Sequence, residues 1–172
     1  MYLSTIWIRT HRAGWTTFGH TGTRYNQLQL YLSRNTPQYM KEYIDFAVEF
    51  LGLYQLRGEI RIDLAKRNLE EEAFGLCWGN RREAEIQIAS KQWGKRVSRE
   101  DKLKTIAHEL THAYQYLKGE LVANRWNDNI SRWKDREIHF DPKNETQMPW
   151  EVHAIDMENQ IYDLYHIYKG YK

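Results

Sequence analysis

The chain has 172 residues, of which 41% are hydrophobic and 28% are charged, a composition typical of one folded domain. The 25 Lys and Arg residues nearly balance the 23 Asp and Glu residues, so the net charge of +2 does not favour nucleic acid or a membrane surface as the default partner. The mean hydropathy of −0.81 and the lack of a long apolar run exclude a membrane-spanning segment, and a single cysteine, Cys77, excludes an internal disulfide or a zinc ribbon.

The first 35 residues show few clear elements. Residues 2–8 form a candidate strand, and the Gly- and Thr-rich residues 14–24 predict a loop. The opening segment lacks the charged start and apolar stretch of a secretion signal, so we expect a cytoplasmic protein in which Cys77 stays reduced.

A first helix is predicted where Thr36 precedes Pro37, because threonine is a good N-cap and proline is favoured in the first helical position. We expect this helix to run to about Leu51. Its predicted apolar stripe consists of Tyr39, Tyr43, Phe46, Phe50 and Leu53.

Three strands are predicted next, at residues 59–64, 73–78 and 83–89. The first and third alternate with a period of two, which predicts buried faces of Ile60, Ile62 and Leu64 in one and of Ala84, Ile86 and Ile88 in the other. The turn-forming residues Gly79 and Asn80 indicate that the second and third strands pair as a hairpin.

A long helix is predicted to follow, because Ser98 and Asp101 form a capping box at its start and Gly119 follows its last residue. Its core stripe is predicted to contain Leu103, Ile106, Leu110, Ala113 and Leu117. Residues 120–147 are predicted to be irregular.

Pro149 then opens a final helix that runs to about Tyr168. Its predicted stripe consists of Ala154, Met157, Ile161, Leu164 and Tyr168. This order of elements predicts one α+β domain over residues 1–172, with helices packed on a small mixed or antiparallel sheet.

The motif with chemical content is His108-Glu109-Leu110-Thr111-His112, in the middle of the predicted long helix. Side chains four residues apart share one face of a helix, so the two imidazoles can each supply a nitrogen to one Zn²⁺ ion at about 2.0–2.1 Å. Glu109 is turned by about 100° from His108, which places it beside the metal, where it can hold water instead of ligating.

A catalytic zinc usually has three protein ligands, so another element must supply the third. The metzincin spacing is excluded, because Gln115 and Lys118 stand where that subclass has glycine and histidine. The remaining downstream candidates are His139, Glu151, His153 and His166. Glu151 and His153 share the first turn of the last helix but point about 160° apart, so a regular helix allows only one of them to ligate.

Two segments carry a family resemblance: His108-Glu-Leu-Thr-His112-Ala-Tyr-Gln and Trp-Glu151-Val-His153-Ala. Together with the predicted hairpin, they resemble gluzincin and SprT-like metallopeptidase domains of phage or bacterial type, over roughly residues 58–165. The resemblance implies a minimal zincin-like fold in which a C-terminal helix carries the third ligand. It implies the zinc ligands His108, His112 and Glu151, with Glu109 as general base.

Two departures from the family pattern bear on the third ligand. Gluzincins often have an aspartate four residues after the ligand glutamate, supporting a zinc histidine, and this chain has Ile155 there. SprT-like enzymes use a third histidine, and His153 can serve in that way. The resemblance thus favours Glu151 as the third ligand and leaves His153 as the alternative.

The resemblance implies a zinc-dependent peptidase that hydrolyses a bond in a peptide or protein, with Glu109 moving the proton. In that family a strand at the sheet edge pairs with the extended substrate, and we assign this role to residues 83–89. Candidate second donors to the transition state are Tyr162, Tyr165, His166 and His139.

The alternative is a metal-stabilised binding or regulatory module with little or no turnover. Residues 124–136 interleave Trp126 and Trp133 with basic side chains, a mixture that can contact nucleic acid. SprT-like proteases act on DNA-bound proteins. Acidic residues dilute the charge of this segment, so we expect instead a loop that packs tryptophan over the cleft.

Overall fold

The computed structural model describes residues 20–25, 27–64, 69, 73–123 and 130–170. Within these ranges a five-stranded sheet, two smaller sheets and three α-helices form a mixed fold, which confirms the predicted α+β class. The candidate strand at residues 2–8 lies outside the described residues. No helix in the described ranges is both long and apolar enough to cross a lipid bilayer.

The largest sheet contains five strands, which in chain order are β1 (His20–Tyr25), β2 (Leu28–Ser33), β3 (Gly58–Leu64), β4 (Gly75–Gly79) and β5 (Glu83–Ile88). Their order across the sheet is β1-β2-β3-β5-β4. The three inner strands run parallel to one another, and β1 and β4 pair antiparallel with their neighbours. The pairing of β4 with β5 confirms the predicted hairpin.

The buried faces of β3 and β5 agree with the alternating pattern, since Ile60, Ile62, Ala84, Ile86 and Ile88 are all buried and Leu64 is half-buried. The loop predicted over residues 14–24 is wrong from His20 onward, where β1 begins. β1 pairs with β2 over six residues, and its threonines suit an extended backbone.

The position of β5 in the sheet corrects the prediction about substrate pairing. β5 is bonded to β3 on one side and to β4 on the other, so the strand at residues 83–89 has no free edge for a peptide. β4 is the outer strand next to it, and no other described strand pairs with the far side of β4.

Two small sheets lie outside this layer. β6 (Lys91–Gln92) and β7 (Lys95–Arg96) form a short hairpin before the long helix. β8 (Leu121–Ala123), β9 (Ile130–Trp133) and β10 (Arg136–His139) form an antiparallel sheet in the order β10-β9-β8. The irregular structure predicted for residues 120–147 is therefore wrong for these three strands. Short 3-10 segments lie at Leu53–Gln55, before β3, and at Pro142–Gln147, after β10.

The first helix, α1, spans Gln38–Phe50, close to the prediction, but its start and its buried face differ. Pro37 occupies the N-cap position, and the Thr36 hydroxyl instead donates to the Ser33 carbonyl at 2.7 Å. The buried face consists of Met40, Tyr43, Ile44, Ala47 and Val48, whereas Phe50 is exposed. Of the predicted stripe, Tyr43 and Leu53 are buried and Tyr39 and Phe46 are half-buried, so the stripe lies along one side of the true core face.

The second helix, α2, spans Arg99–Lys118 and matches the prediction at both ends. The Ser98 hydroxyl accepts a hydrogen bond from the Asp101 amide at 3.0 Å, and Gly119 adopts a left-handed φ of 76°. α2 packs against β4, β5 and the third helix, and the whole predicted stripe is buried. It is therefore the central element of the fold.

The third helix, α3, spans Pro149–Tyr168, with the boundaries that the sequence predicts. Its buried residues are Trp150, Glu151, Ala154, Glu158, Ile161 and Tyr165. Leu164 and Tyr168, both predicted to be in the stripe, are exposed. Ala154 and Ile161 of the predicted stripe are buried as expected, and the apolar pattern missed Glu151 and Glu158 because they are carboxylates.

Candidate metal centre

Three side chains that can ligate a metal converge between α2 and α3. The helical repeat of α2 places His108 and His112 on one face, and the first turn of α3 supplies Glu151. Their exposed fractions are 5%, 2% and 0%, and one donor atom from each lies within 4.8 Å of the others. Among the described residues, these three form the group that can hold a metal ion.

The inner atoms of the three side chains face one another at short range. His108 Nε2 and His112 Nε2 are 3.1 Å apart. The Glu151 carboxylate spans the pair, with Oε2 at 3.3 Å from His108 Nε2 and Oε1 at 3.2 Å from His112 Nε2. A tetrahedral ion with bonds of about 2.0–2.1 Å separates its donor atoms by about 3.3–3.4 Å, so this spacing suits such an ion.

The outer nitrogens of both rings have their own hydrogen-bond partners. His108 Nδ1 lies 3.1 Å from Glu158 Oε2, and since a carboxylate only accepts, the ring donates. His112 Nδ1 lies 2.9 Å from Gln115 Oε1. Outer partners of this kind orient metal-binding histidines and leave the Nε2 lone pair directed inward.

The electrostatics of the cluster favour a positive charge at its centre. Burial lowers the pKa of His108, but hydrogen bonds to Glu151 and Glu158 outweigh it and raise this pKa to about 10. Burial likewise opposes the charge on His112, and Glu151 raises its pKa. Burial raises the pKa of Glu151, but His112 and His108 lower it by more than burial raises it. The net shift of the Glu151 pKa is therefore downward. Without a metal, protons supply positive charge to this cluster. A divalent cation can supply that charge in their place.

Glu109 lies beside this cluster, as its place on the helix predicts, and is 2% exposed. Burial raises the pKa of its carboxyl to about 7, although His108 and His112 act to lower it. A carboxyl with a pKa near neutrality can exchange a proton in either direction at physiological pH. The start of β4 packs directly on it, because a Cβ atom added to Gly75 would lie 2.7 Å from Glu109 Oε1.

The structure brings Glu151, and not His153, to the two histidines of α2. His153 Nδ1 lies 3.1 Å from Gln115 Nε2, and its ring lies 6.0 Å from the ring of Trp133. His153 is therefore held in the layer outside the cluster by the amide of Gln115.

The other predicted candidates lie in different surroundings. His166 Nδ1 contacts the Tyr162 carbonyl at 2.9 Å within α3, and His139 ends the exposed strand β10. The ring of Tyr165 packs edge-on against Tyr43 at 4.8 Å, and Lys104 Nζ sits 4.9 Å from the ring centre of Tyr162. His139 pairs across the strands with Ile130.

Sequence reasoning missed two residues of the site, Glu158 and Gln115. The gluzincin pattern directs attention to position 155, but Glu158, two turns after Glu151 on the same face, supports His108. Gln115 follows His112 by three residues, a spacing at which helical side chains meet. The feature that could have identified both residues is a polar side chain on a helix face that packs against another helix.

The segment at residues 124–136 is described only from Ile130 onward, so Trp126 lies outside the described residues. Trp133 is buried, and its ring lies 6.5 Å from that of Trp150, next to Glu151 in α3. Arg132, Lys134 and Arg136 are exposed. Trp133 therefore packs beside the turn of α3 that carries Glu151.

Comparison of the chain with protein-family models, with curated proteins and with solved structures finds no significant match in any of the three.

Proposed function

We propose that the protein is a zinc-dependent peptidase with a minimal zincin-like domain, hydrolysing a bond in a peptide or protein. The observation that carries this proposal is the buried convergence of His108, His112 and Glu151 with a titratable glutamate, Glu109, beside them. Three protein ligands leave one position for water or substrate, which is the pattern of catalytic zinc.

The donor set favours zinc over the other common divalent ions. Two imidazole nitrogens and one carboxylate suit zinc, whereas magnesium and calcium prefer sites made of oxygen ligands. The two outer hydrogen bonds, to Glu158 and Gln115, point both Nε2 atoms at the same centre. When bound, the zinc ion would supply a Lewis acid that activates water near neutral pH and polarises a carbonyl group.

Glu109 carries the proton transfers in this proposal. Its carboxylate removes a proton from the attacking water and then delivers that proton to the leaving amine. Its burial and its pKa of about 7 in the metal-free site suit both steps, because neither protonation state is strongly disfavoured near neutral pH. Gly75 supports its position, since the bare backbone allows β4 to approach the Glu109 side chain.

β4 supplies a place for the substrate backbone. It is an outer strand of the largest sheet, and it begins where Gly75 meets Glu109. An extended peptide that pairs with an outer strand gains main-chain hydrogen bonds without regard to sequence. Such pairing would hold the scissile bond near Glu109.

The test compares Glu109→Gln with Glu100→Gln, a matched change in the first turn of α2. Both variants should keep one zinc per chain, measured by mass spectrometry of the purified protein. Glu109→Gln should lose most turnover of a quenched fluorescent casein substrate, by about 100-fold or more, because general base catalysis is removed. Glu100→Gln should behave as wild type, since Glu100 is exposed and pairs with Lys104. Absence of zinc from the wild type would refute the proposal.

A second candidate, a metal-stabilised binding or regulatory module, is favoured by the burial of the cluster. All three ligating side chains are at most 5% exposed, and closed zinc sites of this kind stabilise folds. In that case Glu109→Gln changes no function of the protein, and zinc removal unfolds it. The same pair of variants therefore separates the two candidates.

A further inference from the structure

Gln115 joins three parts of the site through one buried amide. Its Oε1 lies 2.9 Å from His112 Nδ1, and its Nε2 lies 2.9 Å from the carbonyl oxygen of Trp150 and 3.1 Å from His153 Nδ1. The side chain is 0% exposed, so water does not compete for these bonds. One residue thus touches a histidine of the metal cluster and the backbone next to Glu151.

The Trp150 carbonyl determines the polarity of this whole network. A backbone carbonyl can only accept, so the NH₂ end of Gln115 must face Trp150. The oxygen end then faces His112 and can only accept, so His112 Nδ1 must carry a hydrogen. In a neutral imidazole this leaves the lone pair on Nε2, the atom that faces His108 and Glu151.

The second N–H of the same NH₂ group has its own acceptor. It faces His153 Nδ1, so the bond requires a lone pair on that nitrogen. His153 therefore completes the hydrogen bonds of the buried amide, and its Nδ1 is occupied in doing so. This accounts for a histidine two residues from Glu151 that lies outside the cluster.

We propose that Gln115 is a positioning residue that sets the tautomer of His112 and fixes the first turn of α3, and thereby Glu151, relative to α2. The two ligands come from different helices, and the amide spans the distance between them with one donor group and one acceptor atom. Trp133 packs on both Trp150 and His153 and holds the outer side of this arrangement. Removing the amide frees His112 to rotate or change tautomer and loosens Glu151 at the same time.

This inference rests on the proposed metal site, and the experiment measures the metal itself. Zinc affinity is determined by competition with a chromogenic chelator, and the coordination geometry by the visible spectrum of the Co²⁺-substituted protein. Gln115→Met removes both ends of the amide at similar volume and should weaken zinc binding by about 10- to 100-fold, the usual range for outer-shell partners. Its Co²⁺ bands should also shift or lose intensity.

Gln115→Glu separates the two ends of the amide. The carboxylate still accepts from His112 but has no hydrogen for the Trp150 carbonyl, so the loss of affinity should be smaller than in Gln115→Met and still measurable. Thr111→Val is the control: Thr111 is equally buried, and among the described residues its hydroxyl donates to the Ala107 carbonyl at 2.9 Å, within its own helix. This variant loses a buried hydrogen bond but should keep wild-type zinc affinity and Co²⁺ spectrum.

Each outcome has a distinct meaning. If the wild type binds zinc and both Gln115 variants bind it within about threefold of Thr111→Val, the positioning role is wrong, because outer-shell partners of metal ligands have larger effects. Should Gln115→Met fail to fold, Gln115→Glu decides by the same limit. If the wild type binds no zinc, the proposed metal site fails, and this role fails with it.

Discussion

A methyl group added at Gly75 tests whether the contact of β4 with Glu109 matters. A Cβ atom there would lie 2.5 Å from Thr105 Cγ2, 2.7 Å from Glu109 Oε1 and 2.8 Å from Glu109 Cγ. Ordinary contact begins at 3.4 Å, so Glu109 would have to retreat by about 0.7 Å. Because Gly75 has no positive φ, the alanine is not strained in its own backbone, and the conflict is with its neighbours Thr105 and Glu109.

The expected stability loss of Gly75→Ala is modest. Overpacking a core costs about 1–3 kcal/mol, and alanine recovers about 0.5–1 kcal/mol over glycine in a strand, which leaves a net loss of about 0–2.5 kcal/mol. Gly75→Ala should reduce turnover more strongly than it reduces stability. If Glu109 is the proposed general base, its displacement by about 0.7 Å should slow turnover of the same casein substrate by about 10- to 100-fold.

Gly79→Ala, at the other end of β4, is the matched control. Its Cβ would crowd Glu83 O at 2.8 Å and Ala84 at 3.1 Å, and none of its three nearest atoms belongs to Glu109. It should lose similar stability in urea unfolding and keep turnover. Thr105→Ser in the Gly75→Ala background removes the closest methyl group and should recover part of the stability. Equal turnover in the two alanine variants would refute the assigned contact.

The remaining predictions concern pH and thiol chemistry. The metal-free pKa of His108, raised from 6.5 to about 10, means that its proton stabilises the fold fully below pH 6.5 and that this contribution is lost as the pH rises through 10. Zinc binds the neutral ring of His108, so the stabilisation of the fold by zinc should grow with pH. The difference in melting temperature between zinc-loaded and chelator-treated protein should therefore widen from pH 6.5 to 9. A constant difference would contradict the ligand set. Cys77 is buried, and burial raises its pKa well above the usual value, so iodoacetamide should label it only after unfolding; fast labelling of the native protein would contradict its placement.

The structure explains why a helical repeat alone does not define this site. α3 presents Glu151 and Glu158 on the face that packs against α2, where an apolar stripe is the usual expectation. Both carboxylates are matched by the histidines of α2, so their burial is compensated. The two helices are therefore joined by the site as well as by their apolar contacts.

What the sequence determined by itself is local. The bounds of α2 follow from its capping residues, and the start of α3 follows from Pro149 in its first position. The shared face of His108 and His112 follows from the backbone geometry of one helix, which depends on neighbours a few positions away. The family resemblance implied Glu151 and left His153 open, and the tertiary structure brings Glu151 to the histidines. Only the tertiary structure decided that Glu158 and Gln115 orient them, and that β4, not β5, lies at an edge of the described sheet. These contacts join residues far apart in the chain, and they depend on how separate elements pack, which no short-range pattern encodes.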